Sequence, residues 1–361
     1  MCAEEIHMTD IKRHRPICKP ASIVALVFIG VAAGSSLHAQ SLDIPAKTWG
    51  ISFGNSKSFT GLRFNFRDYQ VERVTGVNFT LWAPRKFGED NKGAVVRGLS
   101  LGLIPGGGDV RGVQLGILGA MAEDDLVGIS IGGLGVGSGE SLIGINLGGL
   151  GVGAGKHVKG LSVGLAGVGS GDDMVGIGLG GLGLGAGENA TGVFFGGLGV
   201  GAGEDLTGFA FGGLGIGAGG NLTGIAIGGL GVGAGENLSG IVIAGLGAGA
   251  GKRLSGVAIC GLGAGAPRIK GVVISGLGAG GRELDGVFAG LAMIRVEKGG
   301  RLGGLAASSF NHVQGTLNGL SLGIVNYAWT IEKGIQLGII NIVRDNRKGL
   351  RVLPVFNVNF R

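Results

Sequence analysis

The chain has 361 residues, a formal net charge of +6, only 15% charged residues and 85 glycines, a composition far outside the globular average. A hydrophobic share of 45% and a mean hydropathy of +0.45 exclude the disordered glycine-rich class, which is poor in aliphatic residues. The basic residues are scattered and few, which excludes a nucleic-acid-binding stripe.

In chain order, Lys12, Arg13, Arg15 and Lys19 precede the apolar run ASIVALVFIGVAA, Ala21 to Ala33, which is followed by GSSLHAQ. This order predicts a secretory signal peptide over residues 1–39, cut after Ala39. Leu37 is bulkier than the small residue preferred at its position, and Met8 is an alternative start. The apolar run is short of the ~20 residues that span a bilayer, so a membrane anchor is the weaker reading. Cleavage removes Cys2 and Cys18 and leaves Cys260 alone, without an internal disulfide. The remaining 26 basic and 21 acidic residues give +5.

Residues 40–97 read as an N-terminal β cap. Gly61 and Gly76 open the loose units GLRFNF and GVNFTLW, and aromatics gather there as Trp49, Phe53, Phe59, Phe64, Phe66, Phe79 and Trp82. Residues 98–303 form a glycine-rich repeat region. From Gly112 to Gly256 a glycine recurs every sixteen residues, and looser spacings carry the pattern on to Gly349. Residues 304–361 contain the last repeats and a terminal strand ending in FNVNFR.

Within the unit Thr223 to Leu238, TGIAIGGLGVGAGENL, apolar residues alternate as Ile225 and Ile227, slip one place at Gly228-Gly229, and alternate again as Leu230, Val232 and Ala234. Period two predicts strand, and Gly235-Glu236-Asn237 predicts a turn. A unit this short cannot bury a core alone, so units must stack and pair strand to strand. The expected fold is all-β, a parallel β-solenoid of 14–18-residue, mostly 16-residue, coils with aromatic-rich ends. Ile225, Ile227, Leu230, Val232 and Leu238 are expected inside, and Gly229, Gly231 and Gly233 on a smooth outer face. The alternative is an outer-membrane up-and-down β-barrel, favoured by the leader and by the alternation of Phe356, Val358 and Phe360. The lack of aromatic girdles in the strict repeats counts against it.

No catalytic, cofactor-binding or metal-binding residue is predicted. The recurring GxGxG phrases lack the strand-to-helix context of a phosphate loop, and glycine replaces the aspartates of a calcium-binding roll. Asp124, Glu140, Asp172, Glu188, Glu204 and Glu236 share one slot of successive units, interrupted by Lys156, Gly220 and Lys252. Such a column reads as a solvated turn edge rather than a divalent-cation site. Asn189, Asn221 and Asn237 begin sequon-like triplets that turn chemistry explains. His157 and His312 sit in no acid–base or nucleophile motif. Cys260 takes a slot filled by Gly228, Ala244 or Ser275 elsewhere, as a small packed residue does.

The closing units GLSLGIVNYA, GIQLGIINIV and GLRVLPVFNVNF, with GLRFNFRD and GVNFTLWAP near the start, resemble a family of uncharacterised bacterial exported surface-repeat proteins. The AIG at Ala226 to Gly228 is similar to a motif in the heads of trimeric bacterial adhesins. The first resemblance implies export to the outer membrane or cell surface. The expected function is therefore non-enzymatic, a structural scaffold or adhesive surface, with an envelope pore as the alternative. Envelope components, glycans or further copies of the chain are the expected partners, with membrane association and without nucleic acid.

Overall fold

The computed structural model describes residues 41–83, 91 and 93–359. The expected leader over residues 1–39 and Phe360 of the closing strand lie outside the described residues. The described residues are all-β and form a parallel β-solenoid of about 17 coils of roughly 16 residues. The barrel is ruled out by strand direction. Leu222–Gly228 pairs parallel with Leu206–Gly212 and with Asn237–Ala244, always joining residues sixteen apart, whereas an up-and-down wall requires antiparallel neighbours. Among the described residues no helix is long and apolar enough to cross a membrane.

Each central coil holds one long and one short strand, such as Leu222–Gly228 and Gly231–Ala234. Corners at Gly229-Leu230 and Gly235-Glu236 join them, and each strand bonds the equivalent strand of the coils on either side. Stacking satisfies the backbone polar groups that a single coil leaves open.

The glycine that marks the period is dictated by the backbone. Gly224 has φ of +125°, and a Cβ there would lie 2.0 Å from the carbonyl oxygen of Gly208, the matching glycine of the preceding coil. The same closeness recurs along the column from Gly61 to Gly319. Only a residue without Cβ accepts both that φ and that contact.

The facing of the aliphatic side chains corrects the sequence-based expectation. Leu222, Ala226, Val232, Ala234 and Leu238 are buried, while Ile225 (39% exposed) and Leu230 (49%) point outward and Ile227 is half-exposed. The expected slip at Gly228-Gly229 does not occur, because the even-numbered positions 226, 228, 232, 234 and 238 all face inward. Coil thickness explains the result. A Cβ on Gly228 would lie 2.3 Å from the Gly231 carbonyl oxygen and 2.9 Å from the Val232 side chain, so the facing slots at 228 and 232 have no room for two large side chains. Volume is traded within each coil. Gly228 accompanies Val232, whereas Ala244, Cys260 and Ser275 accompany Ala248, Ala264 and Ala279. Cys260 is thus the buried, small packing residue expected, and burial pushes its thiol pKa up.

Both ends of the stack are closed by a reversed strand. Leu42–Ala46 pairs antiparallel with Trp49–Phe53, and Val352–Asn357 pairs antiparallel with Ile335–Val343.

Two predictions follow from this geometry. Gly224→Ala should destabilise by about 2–4 kcal/mol through a strained φ and a backbone clash, whereas Gly233→Ala, whose Cβ meets nothing within 4 Å, should leave the melting temperature nearly unchanged. Circular-dichroism melts of the pair measure the difference. Deleting Thr223 to Leu238 should leave a folded rod one coil shorter, read by far-UV spectrum and small-angle scattering.

Candidate functional site

The turn edge carries most of the charge of the central coils. Backbone bonds run from Glu140 to Asp124, Lys156 to Glu140, Asp172 to Lys156 and Glu188 to Asp172, so the carboxylate column of the sequence is stacked in space. Lysines interrupt it with direct pairs, Lys156 Nζ to Glu140 at 2.7 Å and Lys252 Nζ to Glu236 at 2.5 Å. Among the described residues no group of three or more His, Cys, Asp or Glu side chains converges as a metal site.

Beside the carboxylates runs an amide ladder. Asn189 donates to Asp173 at 3.1 Å, Asn221 to Asp205 at 3.0 Å, and Asn237 to Asn221 at 2.8 Å. The sequon-like triplets thus consist of a ladder residue, a core residue and an outward Thr or Ser.

Ser141, His157 and Asp173 are consecutive rungs of this column. His157 Nδ1 lies 3.5 Å from the Asp173 carboxylate. No hydrogen bond joins Ser141 to the ring, and the three side chains share the spacing of every other rung. His312 packs against Phe310 at 5.2 Å and Tyr327 at 5.1 Å. Burial, then the nearby Arg295, pushes its pKa down and favours the neutral ring.

A basic cleft of about 430 Å³ opens farther along the turn edge, lined by Lys252, Arg253, Arg268, Arg282 and Glu283. Arg268 pairs with Glu283 at 3.1 Å. The cleft marks the point where the edge changes sign from acidic to basic.

The outer side of the long strands is the most distinctive surface. Two columns of outward residues run from Ile51 and Phe53 through Ile129 and Ile131, Ile177 and Leu179, and Ile225 and Ile227, to Ile335 and Leu337. Every position in both is apolar. A third column, Leu134, Leu150, Ala166, Leu182, Leu198, Leu214 and Leu230, follows the adjacent corner. Beyond it the short strands present the expected bare glycines, Gly231 and Gly233.

The sequence reading missed the polar side chains buried inside. Ser100, Gln114, Ser130, Asn146 and Ser162 occupy successive inward slots before Gly178, Phe194 and Ala210 take over. Near the C-terminal end Asn311 donates to Asn326 and Asn326 to Asn341, each at 2.8 Å. In the first coils the fully buried Arg63 donates to Asp68 at 2.6 Å, Asn78 at 2.8 Å and Asn55 at 3.0 Å. The signal available was spacing, since Asn311, Asn326 and Asn341 are fifteen apart.

Comparison with protein-family models, with curated proteins and with solved structures gives no match.

Asp68→Ala leaves the Arg63 charge buried without its carboxylate, and such changes cost about 3–5 kcal/mol. The expected outcome is faster hydrogen exchange confined to the coils around Gly61 and Gly76. The double variant Arg63→Met/Asp68→Leu should recover much of the loss.

Proposed function

We propose that the protein is a non-enzymatic, exported repeat protein of the outer membrane or cell surface, acting as a structural scaffold or adhesive surface through its outer face. The observation that carries this reading is the unbroken pair of outward apolar columns from Ile51 to Ile335. Monomeric soluble proteins rarely expose apolar patches beyond roughly 300–600 Å², and larger ones serve as contact surfaces.

The basic and apolar order of residues 12–33 supports export, as does the resemblance of the closing units to exported surface-repeat proteins. A regular outer face offers the same contact many times over, so an extended partner such as an envelope polymer gains from multivalency.

Fractionation of cells making the full chain tests the proposal. The expected result is an envelope-associated protein whose amino terminus is Gln40 by mass spectrometry and which external protease degrades in intact cells. A cytosolic protein retaining Met1 or Met8 overturns it.

A further inference from the structure

We infer that the long apolar face is the interface with a second copy of this chain, the two rods lying face to face and antiparallel. The inference builds on the scaffold reading and names the partner of its surface.

Area is the first ground. About 17 coils stacked at ~4.8 Å make a face roughly 80 Å long, and two outward columns make it roughly 12 Å wide. The product, on the order of 1,000 Å², exceeds the ~800 Å² per partner that a stable protein interface buries. Regularity is the second. From Val95 to Ser275 the coils pair without a register shift, so outward side chains repeat at one spacing. A second copy has the same spacing and can interdigitate along the full length, as identical stacked strands do.

The centre of the face carries the aromatic anchors. Phe195 lies 5.4 Å from Phe209 and 6.3 Å from Phe211, midway between Ile51 and Ile335. Aromatic residues near the centre of an interface dominate binding energy. A two-fold axis there sets each cluster against its own copy, as an isologous contact requires.

Charge fixes the direction. Residues 112–251 contain ten acidic and two basic side chains, while residues 252–301 contain eight basic and three acidic. With the axis at the phenylalanine cluster and parallel to the strands, the turn edges of the two copies lie side by side with coil order reversed. The turn at Glu140 then faces Lys252 and Arg253, the turn at Asp124 faces Arg268, and Asp109 faces Arg282. The same charge pattern disfavours an anionic bilayer as the occupant, because interfacial lipid-binding elements border their apolar face with Lys and Arg.

Detergent-free sedimentation and light scattering of the purified full chain test the interface. The expected mass is that of a dimer, and Phe195→Thr/Phe209→Thr/Phe211→Thr, which alters a half-buried outer cluster and keeps strand-forming residues, should weaken it by at least about 100-fold with an unchanged far-UV spectrum. A monomeric parent chain at tens of micromolar overturns the inference. So does a triple variant that pairs as tightly as the parent, or a parent that binds phosphatidylcholine vesicles as a monomer. Nitroxide labels test direction in a background with Cys2, Cys18 and Cys260 all replaced by serine, which fills the slot of Cys260 at Ser275. A label at Glu140→Cys should lie about 40 Å from its copy and one at Glu204→Cys under about 20 Å, whereas equal short distances at both overturn the antiparallel arrangement. These measurements use purified protein, so the pairing can fail while the cellular location stands, and the reverse.

Discussion

The contact on which the rod depends is between backbones. A glycine of each coil, in a conformation closed to other residues, rests its Cα against the carbonyl of the matching glycine one coil before. Gly208 beneath Gly224 fixes the register of their coils, and with it the parity of every residue between one glycine and the next. The sixteen-residue period is therefore a steric statement, and the strands, corners and faces are its consequences.

Thin walls follow from that contact. With the two strands of a coil drawn so close that Gly228 nearly touches the Gly231 carbonyl, the inward slots of the coil from Leu222 hold one leucine and otherwise alanine, glycine and valine. The larger aliphatics are displaced to the surface. The usual relation between size and burial is inverted along the long strands, and the protein presents outside what most domains hide. Stability must come from the many short contacts between adjacent coils and from continuous backbone hydrogen bonding, since each coil contributes little apolar volume.

Repeat length, strand content, parallel stacking, the turn edge and the bare glycine strip were legible in the sequence because each depends on backbone chemistry that recurs at fixed spacing. The facing of Ile225, Ile227 and Leu230 was not, because alternation specifies two faces without saying which is inside. A sign was present in the residue between the isoleucines, which is Ser130, Asn146 or Ser162 in early coils and Ala226 in a later one. Large on both sides and small or polar between is the pattern of a strand whose interior is cramped. The Asn311, Asn326 and Asn341 ladder was also readable, since an amide column satisfies itself rung by rung. Arg63 with Asp68 was hidden, because a buried ion pair in an irregular coil leaves no periodic trace.

The terminal strands each contain a proline, Pro45 in Leu42–Ala46 and Pro354 in Val352–Asn357. Proline cannot donate to a further ladder and belongs on sheet margins. The reversed direction of these strands also breaks the template that an identical coil from another molecule would copy. A second rod approaching either tip would meet a reversed, proline-bearing strand instead of the parallel edge that each inner coil offers its neighbour.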